Sequence, residues 1–115
     1  MALRSNPRRL NNLQLKTLTI LQELARHPET SSSARESGEV IVSNIPHPHG
    51  NHFHVGEHIV LARDATGLRN AAVWTALERK GLARSSFPFA ITLTAEGTSY
   101  QTGLRDQILL GGGDQ

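Results

Sequence analysis

The chain has 115 residues, 12 Lys and Arg against 10 Asp and Glu, and a formal charge of +2, which suits one domain with its own core and names no polyanionic partner by charge alone. It contains no cysteine, so disulfides and thiol catalysis are excluded and a zinc site would draw only on histidine and carboxylate ligands. No apolar run approaches membrane-spanning length and Met1–Leu10 lacks the apolar segment of a signal peptide, so no membrane role is expected and cytoplasmic residence is.

Residues 1–10 read as a basic flexible arm, 11–110 as one domain, and 111–115, with three successive glycines, as a disordered tail. Asn11 with Gln14 offers a helix cap, and Leu13, Leu18, Leu21 and Leu24 give the first helix its apolar stripe as far as His27-Pro28. Thr30–Gly38, rich in serine, is expected to be a flexible connection. Glu39–Ile45 and His52–Val55 read as a β-hairpin over about 39–55, closed by the loop Pro46–Asn51. Ile59, Val60 and Ala62 give a short second helix its apolar side, and Thr66-Gly67 interrupts it. Asn70 is placed to cap a third helix with Val73, Trp74 and Leu77 inward, stopped by Lys80-Gly81. Ala83–Ser86 and Phe89–Thr94 follow as two strands around Phe87-Pro88, with Phe89, Ile91 and Leu93 on the buried side. Thr94 can cap a terminal helix from Ala95 to about Leu110, in which Tyr100, Leu104 and Ile108 either finish the core or meet a second subunit. Gly97 and Gly103 are expected to weaken that helix by about 1 kcal/mol each relative to alanine.

The order short helix, glycine turn, helix, two strands resembles the winged helix-turn-helix superfamily, with the phrases Leu77-Glu78-Arg79-Lys80-Gly81-Leu82 and Leu93-Thr94-Ala95-Glu96-Gly97 similar to those of MarR- and PadR-like transcription regulators. The resemblance implies an α+β winged helix-turn-helix with an extra hairpin and a C-terminal helix. It further implies a transcription regulator, a homodimer, that binds double-stranded DNA. Charge distribution agrees: residues 63–84 hold Arg63, Arg69, Arg79, Lys80 and Arg84 against Asp64 and Glu78, a local cationic surplus suited to phosphates. Arg69 and Asn70 stand at the amino end of the recognition helix, where base edges are usually met. Thr75 can touch a thymine methyl, Arg79 can reach a guanine or a phosphate, and Arg84 can hold the backbone. The alternative is a protein-interaction module on the same fold, with Phe87 and Phe89 at the wing tip as its contact.

Five of the six histidines fall between His47 and His58. His52 and His54 point to one side of a strand, and His58 or Glu57 can supply a third ligand for zinc or nickel. The plainer reading is a polar surface loop with imidazoles that titrate near neutrality. An enzyme is the weakest class, since Glu57 with His52 and His54 is the only acid–base cluster and no nucleophile or phosphate-loop phrase accompanies it.

Overall fold

A computed structural model describes residues 6–34 and 37–111. Residues 1–5 and 112–115, which carry half of the expected arm and most of the expected tail, lie outside the described residues. The chain runs α1 (Asn12–Leu24), β1 (Ser31–Ala34), β2 (Glu39–Val42), β3 (His52–Val55), β4 (His58–Leu61), 3-10 turns at Ala62–Asp64 and Thr66–Arg69, α2 (Ala71–Arg79), β5 (Ala83–Ser86), β6 (Ala90–Leu93), α3 (Ala95–Ser99), α4 (Arg105–Ile108) and β7 (Leu110–Gly111). It is an α+β fold with two antiparallel sheets, β1-β2-β6-β5 and β3-β4-β7.

Helix α1 begins where its first turn satisfies its own backbone. The Asn11 carboxamide accepts from the Gln14 N–H at 2.8 Å, and the Gln14 side chain accepts from the Asn11 N–H at 3.0 Å, a reciprocal cap readable from the spacing. Thr17 to Leu21 are all buried, so α1 is surrounded and serves as the central rod. Its two threonines fit because Thr17 donates to the Leu13 carbonyl and Thr19 to the Leu15 carbonyl. The Thr19 oxygen is also hydrogen-bonded to the Thr102 hydroxyl at 2.6 Å, with Thr102 supplying the proton.

The four-stranded sheet sets Val42 opposite Ile91 and Ala83 opposite Leu93, and these side chains close the core with α1 and α2. Helix α2 is as expected: the Asn70 side chain accepts from the Ala72 N–H, and Val73, Trp74 and Leu77 are buried. It ends at Gly81, φ 79°, where the Leu82 N–H donates to the Leu77 carbonyl and the Gly81 N–H to Glu78, the paired closure that a left-handed residue permits.

Four expectations are corrected. Thr30–Gly38 is not wholly a connection: Ser31–Ala34 pairs with β2 along its length, because an edge strand needs backbone partners and tolerates polar side chains. The segments Glu39–Ile45 and His52–Val55 do not form a hairpin with each other. Asn44, φ 50°, ends β2 instead, and β3 pairs with β4 across a two-residue turn opening on Gly56, φ 61°. The expected second helix is consequently strand β4 followed by 3-10 turns, which suits β-branched Ile59 and Val60.

The terminal helix is broken. Tyr100 is extended and Gly103 has φ 74°, so the chain turns between α3 and α4, and β7 is the last described element. Tyr100, Leu104 and Ile108 are nevertheless 8%, 5% and 3% exposed, so the stripe completes this chain's own core and is not left for a second subunit. The described half of the arm is also fastened: Arg8 pairs with Glu96 at 2.6 Å, its N–H donates to the Tyr100 hydroxyl, and Lys80 donates to the Arg8 carbonyl.

Candidate nucleic-acid interface

With Val73, Trp74 and Leu77 in the core, α2 turns Ala71, Ala72, Thr75, Glu78 and Arg79 outward. Arg69 is exposed and Asn70 half-buried just before it, so none of the described residues seals the amino end of the helix. Asn70 uses its side-chain oxygen on the Ala72 N–H at 3.0 Å, leaving only its NH2 group for a ligand. Arg69 donates to the Ile45 carbonyl at 3.0 Å and lies 3.4 Å from the nearer His47 ring nitrogen. Its guanidinium therefore ties the Ile45–His47 loop to the start of α2 while its outer face stays in solvent. Arg79 makes no hydrogen bond or ion pair with any described residue, and it is the most available cation on this helix.

Arg84 departs from expectation. It forms a forked pair with Glu39, one arm at 2.8 Å, across the sheet from β2. The hydrogen bond from Arg84 holds the Glu39 carboxyl below its usual range, and Glu39 in turn raises the guanidinium. A phosphate at Arg84 would therefore have to compete with the Glu39 carboxylate for this exposed guanidinium. Glu78 departs in the opposite sense: its carboxylate accepts the Ser85 N–H at 2.8 Å, which turns it toward the β5 edge and away from the exposed end of α2.

The hairpin of β5 and β6 lies along α2. Phe87 meets Trp74 edge to face at a centroid distance of 4.8 Å, which anchors the tip to the helix. Phe89, expected on the buried side with Ile91 and Leu93, is 81% exposed because it belongs to the turn and precedes the alternation of β6.

The histidines separate into two groups. Register sets His52 and His54 on one face of β3 with Ile59, and His58 on the other face with Val55, Phe53 and Val60. His58 therefore does not join His52 and His54 in a metal site; the period-2 alternation continues through the hairpin and turns it inward. His49 joins them instead, through paired backbone bonds with His52. Glu57 lies in the exposed turn. Among the described residues, no group of three or more His, Asp or Glu side chains stands arranged for a metal ion.

The cluster that sequence reading missed centres on Glu23, whose side chain is 5% exposed. One oxygen meets Arg105 at 2.6 Å and Arg26 at 3.8 Å, and the other meets His27 at 2.9 Å and His58 at 3.9 Å. Burial pushes this carboxyl up, but the His27 and Arg105 hydrogen bonds together with the charges of Arg105 and Arg26 outweigh it, and the net shift is downward. The readable signal was an acid, Glu23, set among Ile20, Leu21 and Leu24, with His27 four positions on in the turn just after α1.

Comparison with protein-family models, curated proteins and solved structures gave no match to this chain.

Proposed function

We propose that the chain is a DNA-binding transcriptional regulator of winged helix-turn-helix type, acting on double-stranded DNA in the cytoplasm. The observation that supports this reading is the placement of α2: inner face buried, Arg69 and Thr75 exposed and Asn70 half-buried, and the β5–β6 hairpin beside it in a sheet with β2 and β1. The first helix expected of the motif is replaced by strand β4 and the 3-10 turns, and α1 packs against those turns, with Gly67 close against Thr17. Arg69, Asn70, Thr75 and Arg79 form the groove-facing set, and Arg79 and Arg63, which pair with no described residue, supply phosphate contacts. Among the described residues, no helix is long and apolar enough to cross a membrane.

The test is fluorescence anisotropy of a random-sequence duplex across a salt series. Two to four neutralised phosphates give a log–log slope between about −2 and −4, and Arg79→Ala is expected to weaken binding and reduce the slope by about 1. Absence of affinity at low salt, or affinity without a slope, overturns the reading. Phe89 at 81% exposure favours a second reading, a protein-contact module using the wing tip. A partner complex lost on Phe89→Ala and indifferent to Arg69→Ala and Arg79→Ala would select it.

A further inference from the structure

We propose that His49, His52 and His54 form a surface site for a divalent zinc- or nickel-class ion, a ligand set different from the one the sequence spacing suggested and independent of any DNA binding. The backbone brings the three together. The His49 N–H donates to the His52 carbonyl at 2.7 Å and the His52 N–H to the His49 carbonyl at 3.3 Å, across a tight turn opened by Gly50 at φ 65°. Residues paired in this way project to the same face, and His54, two positions on from His52, projects there as well. The convergence is thus set by the strand and its turn before any side-chain torsion is chosen.

The rings already lie close: centroids are 5.0 Å apart for His52 and His54, 5.4 Å for His49 and His54, and 6.2 Å for His49 and His52. Nitrogens about 2.0–2.1 Å from one ion at near-tetrahedral angles place ring centroids about 5 Å apart, so the spacing needs little change. What has to change is orientation. Two of the three ring pairs meet edge to face, at 70° and 79°, and among the described residues no three such side chains are placed to hold an ion without rotating. His49 and His54 are exposed and His52 is half-buried, and exposed side chains exchange rotamers within nanoseconds. An ion recruits these rings by rotation about χ1 and χ2, with the backbone left in place.

The chemistry of the donors decides the ion. Three neutral imidazoles with no carboxylate or thiolate suit zinc, nickel and copper and give magnesium and calcium nothing to prefer. Three protein ligands leave positions for water, so the site exchanges its ion and does not close around it as a structural zinc site does. It also stands on an open ridge, where an ion-bound water has no enclosed pocket to react in, so the assignment is binding and not hydrolysis.

Tag-free protein titrated with zinc chloride and, separately, nickel chloride in a calorimeter tests the assignment. One equivalent is expected to bind at neutral pH, with affinity falling by at least tenfold on His49→Ala, on His52→Ala and on His54→Ala, and unchanged on His58→Ala and His47→Ala. No binding, or binding retained in the His52→Ala/His54→Ala double variant, overturns the site. Two of the three side chains are exposed, so the variants keep the fold, and thermal melting without metal verifies this. Neither outcome depends on whether the duplex in the salt series is bound.

Discussion

Replacing Glu23 with alanine is expected to lower stability at neutral pH by about 3 kcal/mol, the low end for breaking a buried ion pair. The low end applies because Arg105 is 44% exposed and can return to water when its partner is gone, whereas a fully enclosed cation could not. Three elements lose their anchor together. His27 closes the end of α1 and packs against the β3–β4 turn, where a Cβ on Gly56 would meet its ring at 2.3 Å. His58 brings in β4, and Arg105 brings in α4. Since a domain of this kind is held by only about 5–15 kcal/mol, the loss is a large part of the total.

The pH dependence separates charge from packing. The Glu23 carboxyl lies below 4.5 in the folded chain, so its contribution is fully present above the unfolded value and is lost as pH falls through the folded one. Urea denaturation of the parent and of Glu23→Gln should therefore give a stability gap that is constant down to about pH 5 and shrinks below about pH 4.5. Glutamine fills the same space, so a gap of equal size at about pH 3.5 would show that the ionised carboxylate does not carry the difference.

Elements governed by their nearest neighbours in sequence were legible, and those governed by distant partners were not. Asn11 with Gln14, Asn70, Gly81 and Thr94 each act within one turn of helix, and all four cap or close a helix as their positions imply. The Ala83–Leu93 hairpin likewise carries its turn inside its own phrase. Ser31–Ala34 has no strand signal of its own, because its pairing is provided by β2. Val55-Gly56-Glu57-His58 was a two-residue turn, but reading Ile59 and Val60 on a helical period hid it. That one choice of period displaced both the hairpin partner of β3 and the facing of His58.

The candidate interface shows the same division. Exposure of Thr75 and Arg79 follows from burial of Val73 and Leu77 on the opposite side of α2, a relation internal to one helix. Neutralisation of Arg84 depends on Glu39, 45 positions away, and a count of cations cannot see it. Fastening of the arm through Arg8, Glu96 and Tyr100 has the same long-range origin.

Gly97→Ala is expected to destabilise the protein by about 2 kcal/mol or more, against the direction given by helix propensity. Propensity alone awards alanine about 1 kcal/mol at a helical position, and Gly97 lies inside α3. A Cβ built there, however, falls 1.9 Å from the Leu82 carbonyl oxygen and 3.0 Å from its carbon. Both are backbone atoms, and Leu82 has no freedom to retreat: its N–H is committed to the Leu77 carbonyl, and its own carbonyl accepts from the Thr94 N–H at 3.1 Å. Relief would have to come from α3 moving off the sheet, which also strains the bond from Gln22 to the Gly97 carbonyl at 2.9 Å. Overpacking of this kind costs typically about 1–3 kcal/mol, and a backbone obstacle belongs to the upper part of that range, so packing outweighs propensity. Gly81→Ala supplies the contrast. Nothing lies within 4 Å of its Cβ, and only the left-handed φ opposes alanine, at about 1–2 kcal/mol. A thermal midpoint lowered more by Gly97→Ala than by Gly81→Ala supports close approach of α3 to Leu82; a midpoint raised by Gly97→Ala would show that α3 stands off the sheet and follows its intrinsic preference.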